Sequence, residues 1–196
     1  MNIVVSNVKG GVGKTTTAVY LAAVAAERNR GPVTLVDADP QGSTAEWYDT
    51  DPLEGVELVE GPSVRTVSKA MSQDDGIVVV DTPPGEGTVV QAALGKADAV
   101  VIPTRAGGVE PNRVFTTLEM TPRNVPAGVV VCSARLGTND LEATIEWWTD
   151  LKVPVWGIVP ERVSIASGPA AALSSEGLEY YGKVFKKATV KPREPR

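Results

Sequence analysis

Short apolar runs rich in β-branched residues recur along the chain, and stretches of helical composition separate them. Apolar and polar residues do not alternate within these runs, which is typical of parallel strands buried on both faces. The clearest runs are Ile3–Ser6, Val33–Val36, Ile77–Val80, Ala99–Ile102, Gly128–Val131 and Val155–Val159. A further short strand is expected around Val56–Val59. The strand at Ala99–Ile102 is expected to end at Pro103.

The stretches between the apolar runs predict helices. Their ranges are Lys14–Arg28, Pro62–Met71, Thr88–Lys96, Pro111–Met120, Asn139–Asp150 and Ala170–Lys187, with a small helix after Ser43. Gly31-Pro32 should stop the first helix, and Thr138 or Asn139 could cap the helix that carries Trp147. Strands that alternate with helices predict a single α/β domain with a mostly parallel, twisted sheet and helices on both faces.

Composition narrows the class of protein. A chain of 196 residues with 42% hydrophobic and 22% charged residues fits one soluble globular domain. No apolar run approaches the ~20 residues that span a bilayer. A core strand at the N-terminus leaves no signal peptide, so a cytoplasmic protein is expected. The absence of histidine excludes His-based triads and the usual zinc sites, and Cys132 is expected to be buried in its apolar run.

A glycine-rich stretch, residues 9–16, separates the first strand from the first helix, and we call it the phosphate loop. Glycines let several backbone N–H groups point at one anion, and the following helix N-terminus adds positive charge. Lys14 is placed to reach the β- and γ-phosphates of a nucleotide and Thr15 to ligate Mg²⁺. The predicted nucleotide-binding residues here are Gly10, Gly11, Val12, Gly13, Lys14, Thr15 and Thr16. The alternative is a glycine-rich turn with two solvated lysines.

Two carboxylates follow the second predicted strand, in Asp37-Ala38-Asp39-Pro40-Gln41-Gly42-Ser43. Ligands of α/β proteins bind at the carboxyl edge of a parallel sheet, where these side chains should lie. Asp39 would then be close enough to Mg²⁺ or the γ-phosphate to orient an attacking water. On the residues alone, a plain turn at residues 39–42 explains the pattern equally well.

A third polar stretch, Asp81-Thr82-Pro83-Pro84-Gly85, ends the run Ile77–Val80. An aspartate after four apolar β-formers is the pattern of a Walker B strand, in which Asp81 holds Mg²⁺ directly or through water. The stiff turn after it would bring a backbone N–H near the γ-phosphate and suits a segment that senses hydrolysis.

Together the phosphate loop, residues 37–43 and residues 81–85 resemble the motifs of the ParA/MinD family of deviant Walker A ATPases, over about residues 1–182. The resemblance implies a P-loop NTPase fold, ATP and Mg²⁺ as cofactors, and slow ATP hydrolysis that a partner stimulates. It also implies catalytic roles for Lys9, Lys14 and Asp39. Lys9 would reach the nucleotide of the partner subunit in an ATP sandwich dimer, and Asp39 would position the water. The implied metal residues are Thr15, Asp37 and Asp81.

The resemblance places the nucleobase near residues 132–135 and 158–163. Family members often have Asn-Arg at the first place, so Ser133 and Arg135 match imperfectly. Pro160 and Arg162 are expected near the adenine, although a surface salt bridge is the alternative for Arg162. The helix after residues 107–110 is expected near the dimer interface.

The small size and the early first strand resemble partition ATPases that lack an N-terminal helix-turn-helix domain. That implies an ATP-dependent homodimer, non-specific DNA binding, a centromere-binding, ParB-like partner and association with the nucleoid in the ATP-bound state. The first alternative is a MinD-like or other cargo-positioning ATPase. The second alternative is a metabolic ligase or an iron-protein reductase. The ligases generally lack the extra lysine, here Lys9, and the reductase needs more cysteines than Cys132 to hold its cluster.

The last residues, 183–196, contain six basic residues and one acidic residue, and we expect a basic tail after a domain of residues 1–182. Three interpretations compete: a solvated chain end, a segment that binds DNA phosphates, or a segment that lies on an anionic membrane. The tail has little bulky apolar surface and two prolines, so we expect no membrane partner. The net charge of −5 excludes a protein that is basic all over but not a local basic patch.

Overall fold

Seven strands form the centre of the computed structural model, which describes residues 1–28, 31–73, 75–107, 111–166 and 173–190. They are β1 (Asn2–Val5), β2 (Val33–Asp37), β3 (Val56–Glu60), β4 (Ile77–Asp81), β5 (Ala99–Arg105), β6 (Ala127–Ala134) and β7 (Val155–Pro160). All neighbouring strands are parallel, in the order β3-β2-β4-β1-β5-β6-β7. The predicted strands, including the short one at Val56, are therefore confirmed.

Helices connect the strands. They are α1 (Lys14–Arg28), α2 (Ser43–Thr50), α3 (Val64–Ala70), α4 (Thr88–Leu94), α5 (Pro111–Met120), α6 (Asn139–Asp150), α7 (Val163–Ala166) and α8 (Ser175–Ala188). The bounds of α1, α5 and α6 agree with the prediction. Thr138 caps α6 by accepting a hydrogen bond of 3.4 Å from the Leu141 amide. The short α7 was not predicted, and the expected start of the last helix at Ala170 lies outside the described residues.

Buried side chains fill both faces of the sheet because successive residues of a strand point to opposite sides. In β1, Ile3 and Val5 pack with residues of α1, α2 and α8, whereas Val4 packs with residues of α3, α4, α5 and α6. Trp47 of α2 belongs to the first layer, where its ring meets Tyr20 edge to face. The result is a three-layer α/β/α fold, as predicted.

β1 lies between β4 and β5, the place where the chain changes from one half of the sheet to the other. Such a switch point opens a crevice at the carboxyl edge of the sheet. The phosphate loop leaves β1 at this edge. Asp37 and Asp81 end the neighbouring strands β2 and β4 and are register partners.

The expectation that Pro103 ends its strand is wrong. β5 continues to Arg105, and Pro103 is the register partner of Val130 in β6. Proline lacks only the N–H donor. Its carbonyl still accepts a hydrogen bond of 2.8 Å, from the Asn7 side chain. The strand therefore passes through the proline and carries Arg105 above the edge of the sheet.

The proposed boundary between residues 182 and 183 falls inside α8. This helix runs to Ala188 and buries Val184, Phe185 and Ala188 against the first layer. Residues 183–188 are therefore part of the folded domain, and residues 191–196 lie outside the described part of the chain. Among the described residues, no helix has the length and apolar character needed to cross a membrane.

Candidate functional site

The phosphate loop curls through two glycines in left-handed conformation, Gly11 with φ 72° and Gly13 with φ 97°. L-residues with a side chain rarely adopt these angles, so the loop requires glycine at both positions. Lys14 is the first residue of α1, and its Nζ donates a hydrogen bond of 3.0 Å to the backbone carbonyl of Lys9. Burial lowers the pKa of Lys14, whereas the carboxylates of Asp81 and Asp39 act in the opposite direction.

The start of the loop is held by polar residues that the sequence did not single out. Asn7 is buried, and its Nδ2 donates to the Pro103 carbonyl while its Oδ1 accepts a 2.9 Å bond from the Lys9 amide. The Val8 amide donates to the hydroxyl of Thr117 in α5, at 3.4 Å. These bonds fix the loop to β5 and α5.

Asp81 is the most buried carboxylate of the site. Its Oδ2 accepts hydrogen bonds from the hydroxyls of Thr15, at 2.8 Å, and Thr44, at 2.7 Å. Its Oδ1 is buried and has no hydrogen-bond partner among the described residues. Burial raises the pKa of Asp81 to about 6, and the nearby Asp37 carboxylate raises it further. The two threonine hydroxyls and the Lys14 ammonium act in the opposite direction.

Asp37 and Asp39 shape the turn between β2 and α2. Asp37 is buried and accepts from two backbone amides, those of Asp39 at 3.1 Å and Ala45 at 2.9 Å. Asp39 is partly exposed and accepts a 3.0 Å bond from the Gln41 amide. The two interpretations of this stretch are thus compatible, because the turn itself holds Asp39 beside the phosphate loop.

Three cavities surround the phosphate loop. The first, of about 450 Å³, has walls from Gly10, Gly11, Gly13, Lys14, Thr15, Thr16 and Asp39. The second, of about 120 Å³, shares Gly13 and Thr16 with the first. The third, of about 240 Å³, contains Lys9, Gly11 and Val12. The structure therefore brings Lys14, Thr15 and Asp39 to one cavity and places Lys9 in another.

Residues predicted to lie near the nucleobase meet at the second cavity, which Ser133, Pro160 and Arg162 line together with Cys132. Cys132 is buried, as expected. Arg162 also forms the surface salt bridge that was the alternative interpretation, with 3.2 Å between its Nε and Glu176 Oε1. Arg135 instead forms an exposed ion pair with Glu161 at 2.8 Å and does not line this cavity.

The residues present fit a magnesium–nucleotide complex. Buried Asp81 Oδ1 has an unused lone pair, and the Thr15 hydroxyl is bonded to the same carboxylate. Both are hard oxygen donors of the kind that Mg²⁺ prefers. The described residues contain no group of three or more His, Cys, Asp or Glu side chains able to hold a metal. Water and phosphate oxygens would therefore complete the coordination, as is usual for Mg²⁺ bound with a nucleotide.

A family comparison agrees with this site. Residues 3–174 match the model of the CobQ/CobB/MinD/ParA nucleotide binding domain. The chain belongs to this family. The predicted family and fold are thereby confirmed.

Individual relatives have different cellular roles. The chain is 43% identical over 106 residues to "Maintenance of carboxysome distribution protein A" of Gloeobacter kilaueensis, covering 52% of this chain and 48% of that protein. It is 29% identical over 211 positions to the "Chromosome-partitioning ATPase Soj" of Thermus thermophilus, covering 86% and 84%. The chain thus spans about half the length of the first of these relatives and most of the second.

Among solved structures, the septum site-determining protein MinD of Pyrococcus horikoshii, complexed with Mg-ADP, superposes with a TM-score of 0.75. The match has 17% identity and covers 96% of this chain and 95% of that one. At this identity the likeness establishes the fold.

Proposed function

We propose that the protein is a magnesium-dependent ATPase whose bound nucleotide controls its assembly with a second copy. The observation that carries the proposal is the meeting of Lys14, Thr15 and Asp39 at one cavity above buried Asp81. Support also comes from the MinD structure with the same fold, which was solved with Mg-ADP. The predicted cofactors, ATP and Mg²⁺, are therefore assigned to the first cavity.

The chain's residues would divide the work of hydrolysis among them. Backbone N–H groups of residues 10–13 and the Lys14 ammonium bind phosphate oxygens. Thr15 and Asp81 hold Mg²⁺, which when bound neutralises charge on the phosphates, and Asp37 stays a predicted neighbour of the metal shell. Asp39 orients the attacking water. Pro160 and Arg162 border the base at the second cavity, which adjoins the first through Gly13 and Thr16.

The Lys14 ammonium donates a hydrogen bond of 3.0 Å to the Lys9 carbonyl. An ammonium has three N–H donors, so Lys14 can keep this bond to the segment that carries Lys9 and still bind phosphate oxygens. We propose that the Lys9 side chain then reaches the nucleotide of a second copy and closes a sandwich dimer. Nucleotide binding would in this way shift an assembly equilibrium.

For the cellular role we propose DNA partition, in which the ATP-bound dimer binds DNA non-specifically and a ParB-like partner stimulates hydrolysis. The Soj relative, a chromosome-partitioning ATPase aligned over most of its length, supports this role. Lys183, Lys186 and Lys187 are exposed on α8, directly before the basic residues 191–196, and offer a surface for DNA phosphates. A cytoplasmic location, on the nucleoid when ATP is bound, belongs to the same proposal.

A second role, the positioning of a protein body, is favoured by one specific observation. The relative with 43% identity is named for carboxysome distribution, although the alignment covers 48% of that protein. Both roles would use the same ATP switch and differ in the cargo, so the site by itself does not separate them.

The test is a set of ATP hydrolysis and DNA-binding measurements on the full chain. ATP turnover should require Mg²⁺ and stop with EDTA; hydrolysis unaffected by EDTA would refute the site. DNA binding is then titrated with ATP, ADP or no nucleotide across a range of salt. DNA binding that occurs only in the ATP state and weakens steeply with salt supports the DNA-based switch. Equal DNA binding in all three states contradicts it. A pull-down with a candidate centromere-binding protein or a carboxysome protein then separates the two cargoes.

A further inference from the structure

The third cavity is lined by three cationic side chains that belong to separate parts of the fold. Lys9 comes from the phosphate loop, Arg105 from the end of β5 and Arg113 from the first turn of α5. No acidic side chain is among the described residues that line it. Its volume of about 240 Å³ gives room for a polyatomic anion.

Buried polar residues hold the backbone from which these cationic side chains extend. Asn7 joins the Lys9 amide to the Pro103 carbonyl, two residues before Arg105. Thr117 accepts from the Val8 amide and donates a 3.0 Å bond to the Arg113 carbonyl. Asn7 and Thr117 are both buried. Because this backbone is fixed, only the side chains have to be ordered when an anion binds, which lowers the entropic cost of binding.

We propose that the third cavity is a second phosphate-binding site, separate from the phosphate loop, with Arg105 and Arg113 as its binding residues beside Lys9. Guanidinium groups bind phosphate through two parallel N–H donors, and two of them with an ammonium suit a group of charge about −2. Lys9 and Arg113 also interact with other parts of the chain, so phosphate would compete for these groups.

Two sources could supply the phosphate: inorganic phosphate in solution, or the nucleotide that a second copy carries. The second source rests on the dimer proposed above, and the first does not. Arg105 also lines the second cavity, next to Pro160 and Arg162, so its substitution could change nucleotide binding as well. Arg113 is absent from the walls of the first and second cavities and is therefore the cleaner position to test.

The test compares Arg113→Gln with Arg65→Gln. The control variant also removes an exposed arginine, on α3, and Arg65 lines none of the three cavities. ADP·Mg²⁺ binding is measured first, so a failure of the proposed nucleotide site is seen separately. Inorganic phosphate is then titrated by phosphorus NMR with ADP·Mg²⁺ saturating. In a second arm, association driven by a non-hydrolysable ATP analogue is followed by sedimentation velocity.

Arg113→Gln should weaken phosphate binding, analogue-driven association or both by about tenfold, the usual effect of losing a charge-assisted hydrogen bond. Arg65→Gln should change neither by more than about twofold, and the affinity for ADP·Mg²⁺ should be unchanged in both variants. A loss in the first arm identifies free phosphate as the ligand. A loss in the second arm identifies the nucleotide of a second copy if Arg113→Lys, which keeps the positive charge, restores part of the association. If Arg113→Gln and the double variant Arg105→Gln/Arg113→Gln match the parent in both arms, the proposal is overturned.

Discussion

Thr44 donates its hydroxyl proton to Asp81 Oδ2 across 2.7 Å, and both residues are buried. Thr44 is the second residue of α2, directly after the turn that holds Asp39. This one bond therefore connects the candidate metal carboxylate of β4 to the element that positions the candidate hydrolytic residue. Protonation of Asp81 or metal binding there would therefore act on α2 through this hydrogen bond.

Thr44→Val should destabilise the nucleotide-free protein by about 1–3 kcal/mol, because it removes a buried hydrogen bond to a carboxylate without changing side-chain shape. Urea unfolding followed by circular dichroism measures the change. Thr50→Val on the same helix is the control, since the Thr50 hydroxyl bonds the Glu46 carbonyl at 2.9 Å in an exposed position. Equal losses in the two variants would contradict the special role of Thr44.

Asp81→Asn should stabilise the nucleotide-free protein at pH 7–8. Since burial raises the pKa of Asp81 to about 6 from 3.8, the folded state binds this proton more tightly than the unfolded chain. The stabilising contribution is complete below pH 3.8 and is lost as the pH rises through about 6. The shift corresponds to roughly 3 kcal/mol.

The stability difference between Asp81→Asn and the parent should therefore narrow as the pH falls from about 7 to about 4. Chemical denaturation at several pH values measures it, with Asp75→Asn as a control for the loss of an exposed carboxylate. A pH-independent difference would show that Asp81 does not titrate in this range. The Asn variant should also lose the magnesium dependence of nucleotide binding.

Asp39→Ala should bind ATP with near-normal affinity and lower its hydrolysis by about 100-fold or more, in the range expected for a residue that orients or activates water. Asp39→Asn is the matched variant, because its side-chain oxygen can still accept from the Gln41 amide and preserve the turn. Turnover is measured by phosphate release. If the Asn variant hydrolyses ATP at the parent rate, the carboxylate has no catalytic role.

Lys9→Ala should abolish ATP-dependent dimerisation while the fold and monomer affinity for ATP are retained. The Lys9 contact to Lys14 is through its backbone carbonyl, so the substitution leaves that acceptor in place. Light scattering with ATP reports the assembly, and far-ultraviolet circular dichroism the fold. Lys14→Ala is the contrasting variant and should lose nucleotide binding itself. A Lys9→Ala protein that still dimerises with ATP would exclude the cross-subunit role.

The double variant Lys186→Gln/Lys187→Gln should weaken DNA binding in the ATP state and reduce the slope of log K against log salt by about 1–2. Both lysines are exposed in the last turn of α8. The control is Arg65→Gln/Lys69→Gln, which removes two exposed cations from α3. Similar effects in the two double variants would mean that DNA responds to overall charge and does not use α8.

The sequence predicted much of the fold because its local signals agree with one another. β-branched runs without polar alternation indicated buried parallel strands, and the bounds of three helices were correct. The prediction that Pro103 ends its strand was wrong, because a missing N–H ends a strand only where the hydrogen-bond ladder needs that donor. The domain boundary was placed at residue 182 because the basic residues after it suggested a tail, although Val184 and Phe185 of the same helix pack in the core.

The residues of the candidate site also form two groups: those that the sequence indicates and those that only the structure reveals. Lys14, Thr15, Asp39 and Asp81 could be found from the sequence because each stands next to a strand end or a glycine-rich turn. Thr44, Asn7 and Thr117 could not, since a threonine or asparagine carries no signal until a distant partner is known. Arg105 and Arg113 belong to the same group: they are eight residues apart in the chain and meet only at a cavity beside Lys9.

The sequence by itself therefore determined the α/β class and a phosphate loop with two acidic strand ends, because these depend on local backbone preference and strand burial. Only the tertiary structure decided how these groups interact. It paired Thr44 and Thr15 on one oxygen of Asp81 and left the other oxygen unpartnered among the described residues. It also separated Lys9 from Lys14 into different cavities. Such distances arise from the packing of strands that are far apart in the chain, which no local pattern encodes.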